Sequence, residues 1–326
     1  MRSPLLDTPG AVAAEAPDAD VAAHYGDPFA EQRALLGGAA IVDRSNREVV
    51  RISGVDRLRW LNDLSSQKLD ALAPGEVTQT LLLDPQGRVE HHVTLVDDGE
   101  AVWGHVEPGG AAALVAFLDK MRFMLRVEVS DETAAYAVVT VRSAVAGPPA
   151  GTVVMGEDLL LPREHLAGHL GLRLAGLWAY EALRIEEHRP RLGRETDHKT
   201  IPHEVGWIGT AVHLTKGCYR GQETVARVHN LGHPPRRLVF LHLDGSVDTL
   251  PPHDAPVTLD GEAVGFVGSA ARHHELGPIA LALVKRTVPV DAALLAGGVA
   301  ASQEVIVPPD AGRNVSIDPG LRRRIR

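Results

Sequence analysis

Three tight-turn signals in close succession, Pro74-Gly75, Asp84-Pro85-Gln86-Gly87 and Asp97-Asp98-Gly99, constrain the middle of this chain more than any other feature. Between and after them lie residues 77–83, 88–96 and 101–106, each short and rich in strand-forming side chains. Strands joined by loops this tight can pair only as an antiparallel meander, because a parallel crossover needs about a dozen residues or more. Around the meander the spacing of apolar residues predicts a helix over 24–40, a strand over 47–52 and an amphipathic helix over 55–64. The last is marked by Val55, Leu58, Trp60, Leu61 and Leu64. A helix over 110–121 and strands over 125–129 and 136–141 follow. Helices and strands mix without a strict βαβ alternation, which is an α+β order.

Residues 147–151, with Pro148 and Pro149, read as a surface connection, followed by a strand over 153–161 and helices over 162–170 and 177–188. Residues 189–214 carry no period, and a long irregular segment inside a compact protein is more often functional than filler. His233-Pro234-Pro235 ends the helix begun at Gln222. Beyond it, strands over 237–243, 256–259, 262–269 and 279–285, with turns at Asp244-Gly245 and Asp260-Gly261, suggest a small β-barrel. The expected division is a flexible leader over 1–23, an α+β region over 24–232 with a subdomain break near 147–151, a barrel over 233–307 and a basic tail over 308–326.

A net charge of −9 argues against a nucleic-acid partner. The longest apolar runs, such as 279–284, fall far short of a membrane span, and no apolar stretch follows a basic start as in a secretory signal. The expectation is a cytoplasmic protein, with a monomer favoured and no membrane partner. The single cysteine excludes an intramolecular disulfide framework and any cluster held by this chain's own thiolates alone.

That cysteine stands in Lys216-Gly217-Cys218-Tyr219-Arg220-Gly221-Gln222-Glu223. Two glycines bracket it and a helix starts just beyond, so helix N–H groups, Lys216 and Arg220 would favour the thiolate. A small buried hydrophobe is the alternative, and local chemistry leaves both open. His165 and His169 have the i, i+4 spacing of two zinc ligands, but no further ligand completes a set, and no metal is expected. By themselves Glu181, Glu186 and Glu187, with Arg184 and Arg189, read as a solvated helix face. Trp178 and Tyr180 on the same helix read as core.

The octapeptide resembles the signature K-G-C-Y-x-G-Q-E of the YgfZ family, folate-binding proteins associated with iron–sulfur cluster assembly and repair. Asp84-Pro85-Gln86-Gly87-Arg88-Val89 is similar to that family's turn. Gly265-Phe266-Val267-Gly268-Ser269 with Ile279-Ala280-Leu281-Ala282 is similar to the C-terminal barrel shared with the glycine-cleavage T-protein. The likeness runs from about Asp43 to about Val307. It implies a T-protein-like region of mixed antiparallel sheets and helices that binds folate, followed by the barrel. It also implies tetrahydrofolate or a one-carbon derivative as cofactor, and iron–sulfur client or assembly proteins as partners.

Arg184-Ile185-Glu186 with Leu192-Gly193 resembles the R-L-E…G element by which the T-protein holds folate. The resemblance implies that Glu186 accepts the adjacent N–H and amino groups of a pterin edge, as two carboxylate oxygens can. Arg184 stands beside it, and Trp207 and Tyr219 offer flat rings. Lys216 could meet the anionic glutamyl tail and shares the catalytic assignment with Cys218. Two departures bear on function. The T-protein's paired aspartates, one of which polarises the substrate amine, correspond to His91 and His92, and its threonine–asparagine–aspartate stretch to Ser66-Gln67-Lys68. An imidazole cannot offer an amine the same anionic contact, so aminomethyl transfer by that route is not expected. The alternative is a folate-dependent one-carbon transferase of altered substrate, with His91 or His92 as base.

Overall fold

In a computed structural model, which describes residues 1–315 and only the backbone of His169, the meander forms as its turns dictate. Val77–Leu83, Val89–Asp97 and Ala101–Val106 pair antiparallel in sequence order. Glu48–Ser53 and Glu128–Asp131 extend the sheet to five strands. Helices Arg57–Leu64 and Ala111–Lys120 bury Trp60, Leu61, Leu114 and Leu118 against Val50, Val93 and Leu95. Each buried leucine contributes about 1.5–3 kcal/mol relative to exposure.

A second five-stranded sheet runs Val153–Met155, Asp158–Pro162, Tyr136–Val141, Ala40–Asp43 and Arg173–Ala175, the last pair parallel. Two helices, Pro28–Leu36 and Leu177–Glu186, meet Ala40, Val42 and Ala175 through Leu35, Ala179 and Leu183. Asp27 caps the first of these by accepting from the Phe29 and Ala30 N–H groups, and Pro28 suits the first helical position.

The third unit is a closed six-stranded barrel. Arg236–Leu243 pairs on one side with Gly277–Lys285 and on the other with Val299–Val305, which closes the ring. Val239, Leu241, Ala280 and Ala282 fill its interior. The alternate residues Leu238, Phe240, Ile279 and Leu281 face outward yet are also buried, in a core shared with Ile185, Trp207 and Tyr219. Both faces of these strands are therefore apolar, which is why they read as continuous hydrophobic runs.

Several expectations are corrected. Residues 1–23 do not form a loose leader: Pro4–Asp7 is a 3-10 turn, Val12–Ala13 pairs with Ala22–His24, and Leu5, Asp18 and Val21 are buried. The helix expected over 24–40 is only Pro28–Leu36, ended by Gly37 and Gly38, and Ala40–Asp43 is a strand. Residues 153–161 make a hairpin turning at Gly156-Glu157 instead of one strand. Arg163–Gly171 is 3-10 and not α, so positions 165 and 169 are not aligned one α-turn apart. From Pro308, the described part of the basic tail lies along the helix Gln222–Leu231, where Asn314 N–H donates to His229 O; the rest lies outside the described residues.

Candidate functional site

The two glycine-bearing motifs meet. Gly87 adopts φ +78°, and a Cβ there would stand 2.8 Å from the Thr224 Cβ and 3.2 Å from Gly221 O. The turn after Val77–Leu83 thus packs directly on the start of the helix Gln222–Leu231, in a contact only glycine permits. Arg220 reinforces it through an ion pair with Glu90 at 2.9 Å.

Lys216 pins the cysteine loop from the other side. Its buried ammonium donates to the carbonyls of Asn62, Ser65 and Gln67 and so caps the C-terminal end of the helix Arg57–Leu64. Burial pulls its pKa down to about 8, against the raising influence of Asp63 and Asp70. The same Nζ lies 4.9 Å from the Tyr219 ring centroid. Cys218 is exposed. Lys216 is engaged with carbonyls and Arg220 with Glu90, the helix begins at Gln222 as the sequence indicates, and the exposure of Cys218 overturns the alternative of a small buried hydrophobe.

Ser66 and Gln67 connect this loop to the irregular segment after Arg189. Ser66 Oγ donates to Ala211 O at 2.6 Å, Gln67 Nε2 donates to Thr210 O at 3.0 Å, and the His213 N–H donates to Ser66 O. Trp207, at the head of that turn, stacks on His92 with centroids 4.6 Å apart, and His92 Nε2 meets Gln79 Oε1 at 3.1 Å. Burial, helped by Arg47, lowers the His92 pKa to about 3, so the ring is neutral at pH 7. Burial lowers that of His91 as well. The structure thus brings Lys216, Cys218, Tyr219, Trp207 and His92 into one neighbourhood. Trp207 and Tyr219, 3% and 8% exposed, serve there as core rings.

Arg184 and Glu186 flank Ile185, which shares a core with Trp207 and Tyr219, but differ from each other in role. Arg184 is buried, 2.6 Å from Glu181 and 3.3 Å from Glu195. It belongs to a network centred on Arg191, which reaches Glu107 at 2.7 Å, Asp18 at 3.0 Å and Glu181 at 3.0 Å. The chain continues through Arg47 to His105, whose Nε2 is 2.9 Å from Asp158. Arg47 and Arg191 hold the Glu107 carboxyl well below its ordinary range despite the opposing cost of burial. The solvated face expected for Glu181 and Arg184 is therefore an internal charge network.

Glu186 ends the helix Leu177–Glu186 and keeps a side chain 39% exposed. Its Oε2 lies 3.1 Å from His273 Nε2. His273 Nδ1 accepts the Glu275 and Leu276 N–H groups, so Nε2 carries the proton facing the carboxylate. Trp178, 53% exposed, is not core; Tyr180 is, beneath the Arg44 guanidinium. Trp178 lines a cavity of about 530 Å³ together with Phe29, Asp18, Glu181, Arg191, Arg194 and barrel residues 268–272. No local pattern marked this cavity, because the N-terminal segment, two helices and the barrel each supply a wall. Among the described residues, no group of three or more His, Cys, Asp or Glu side chains converges as a metal site.

Comparison with known proteins agrees with this architecture. Residues 6–156 match the GCVT N-terminal domain family, and residues 236–318 match the glycine cleavage T-protein C-terminal barrel domain family. The chain belongs to the glycine-cleavage T-protein superfamily. An aminomethyltransferase of Synechococcus sp. (strain CC9902) is 26% identical over 310 residues, covering 78% of this chain and 82% of that one. A putative chloroplastic transferase of Arabidopsis thaliana is 25% identical over 277 residues, covering 72% and 62%. The crystal structure of glycine cleavage system aminomethyltransferase T from Bartonella henselae superposes with a TM-score of 0.77. It shares 17% identity and covers 96% of this chain and 98% of its own. The matched stretches contain the meander and the barrel strands respectively.

Proposed function

We propose that this chain is a folate-binding accessory protein for iron–sulfur cluster assembly or repair, with Glu186 holding the pterin and Cys218 presenting a thiol to a partner. The observation that carries the reading is the neutral His92, stacked on Trp207, at a position to which the resemblance to the T-protein assigns an aspartate. A substrate amine finds no anion there. The Cys218 octapeptide, which resembles the YgfZ signature, supports the accessory role, and the exposed thiol is available as a transient ligand to a cluster carried by a partner.

The residues present fit a folate. Glu186 remains part-exposed with no donor on its Oε1 among the described residues, so it can accept from a pterin edge. The cavity of about 530 Å³, lined by Glu181, Ala271 and Arg272 though not by Glu186 itself, is within the range of small-molecule sites, roughly 300–1,000 Å³. A bound tetrahydrofolate would supply the carrier for a one-carbon unit. The chain's part is to hold that carrier and to keep the cysteine loop fixed through Lys216.

The names of the relatives favour a second reading, a folate-dependent one-carbon transferase of altered substrate. Two measurements separate them. The purified protein is incubated with methylene- or formyl-tetrahydrofolate and an amine or thiol acceptor, and activity of iron–sulfur enzymes is followed in cells carrying Cys218→Ser. Lost enzyme activity without folate consumption supports the accessory role. Acceptor-dependent consumption supports the transferase, and full cellular function of Cys218→Ser removes the role given to the thiol.

A further inference from the structure

Among the described residues, the buried arginines are Arg44, Arg47, Arg184, Arg191 and Arg237. The first four each lie against a carboxylate: Arg44 is 2.9 Å from Asp158, Arg47 2.5 Å from Glu107, Arg184 2.6 Å from Glu181 and Arg191 2.7 Å from Glu107. Arg237 is 0% exposed, and no ion pair engages it among the described residues.

Its place on the barrel puts it inside. Along the strand Arg236–Leu243, Val239 and Leu241 face the interior, and Arg237 precedes them with the same parity. It pairs with Val284, another interior residue. Nη2 is satisfied, donating to Val288 O at 3.0 Å and to Gln303 Oε1 at 2.7 Å. Nε and Nη1 are buried and have no acceptor. A guanidinium does not lose its proton in a protein, so the charge cannot be relieved that way. Burial lowers the Arg237 pKa with nothing opposing it, whereas at Arg184 the cost of burial is outweighed by Glu181 and Glu195.

Flanking side chains supply no counter-charge. Lys285 and Arg286, which follow Val284, are cations, and Asp291, in the segment whose carbonyls meet Arg237 and Gln303, is exposed. Water would satisfy the N–H groups and leave the charge uncompensated, which is the costly part of burying an ion. A small monovalent anion does both. Gln303 is the way in: it bonds Arg237 on one side and lines a surface groove of about 490 Å³ on the other. Asp244 and Asp291 also line that groove, so an anion is favoured beneath Gln303 and not in the groove itself.

We infer that the end of the barrel interior at Arg237 is a binding site for a small monovalent anion of the halide class, held by Nε and Nη1 and enclosed by Gln303. The inference stands whether or not the chain binds folate.

The test is thermal unfolding of the full chain as sodium chloride replaces sodium gluconate at constant ionic strength. The unfolding temperature should rise saturably by about 3 °C or more, and bromide should substitute for chloride. Arg237→Met should lose this dependence and be at least as stable as the native protein in gluconate, since an apolar side chain replaces an unpaired buried charge. Lys285→Gln, on the surface, should keep it. Crystals of the native protein soaked in bromide should show an anomalous peak within hydrogen-bond reach of Arg237 Nε or Nη1, which decides the matter even if Arg237→Met does not fold. Equal unfolding temperatures in chloride and gluconate, a chloride effect kept by Arg237→Met, or bromide on the outer surface as an adventitious ion only would overturn the inference.

Discussion

Gly221 and Gly87 touch with no room for a side chain between them. A Cβ on Gly221 would lie 2.6 Å from Asp84 O and 3.0 Å from the Gly87 Cα, and Gly221 holds φ +83°. This contact fixes the cysteine loop against the meander. Gly221→Ala should therefore cost about 1–3 kcal/mol or more, combining backbone strain with displacement of the turn. Gly217→Ala, at a position with ordinary φ and open space, should change stability by less than about 1 kcal/mol. Urea unfolding of both variants checks the contrast.

The acid side of the stability curve should be set by buried histidines. Burial lowers His92 to about 3, and His105 and His203 to about 4, from an ordinary 6.5. Between those values and 6.5 the unfolded chain binds more protons than the folded one, so stability rises with pH through that window. It is full above pH 6.5 and is lost as pH falls toward 4 and then 3. His92→Gln should flatten this dependence by a few kcal/mol at most, at about 1.4 kcal/mol per pKa unit, and the His92 ring should show no NMR titration between pH 8 and 5.

Arg191 is bonded to three carboxylates, Asp18, Glu107 and Glu181, each largely buried. Removing it leaves those charges uncompensated, and Arg191→Met should destabilise by about 3–5 kcal/mol. Because Asp18 lies near the N-terminus, limited proteolysis of Arg191→Met should cut first within residues 1–24. Cleavage starting elsewhere would mean that this ion pair does not hold the N-terminal segment in place.

That segment also marks where sequence reading ends. The meander and most barrel strands were legible because turn residues and apolar spacing act locally, and Val77–Leu83, Ala101–Val106 and Tyr136–Val141 fall at the expected positions. The Asp18 to Arg191 contact spans 173 residues, and no local pattern announces it. Likewise the helix face of Glu181 and Arg184 looked solvated because charge is normally exposed; partners from three other segments bury it here. Around the cysteine, the motif located the loop correctly in the chain, but only the fold reveals that Lys216 points at helix-end carbonyls and not at the thiol.

Lys216→Met should loosen that clasp without unfolding the protein. Amide exchange is expected to quicken at residues 62–67 and 213–219 while the barrel strands stay protected, which mass spectrometry can resolve. Uniform quickening across the chain would instead make Lys216 part of the global core.

The central claim is tested most directly by calorimetric titration of the native protein with tetrahydrofolate, alongside Glu186→Ala and Cys218→Ser. Saturable binding is expected for the native protein, weakened about tenfold or more in Glu186→Ala, as when a charge-assisted hydrogen-bond acceptor is lost, and retained in Cys218→Ser. No binding by the native protein, or undiminished binding by Glu186→Ala, would contradict it.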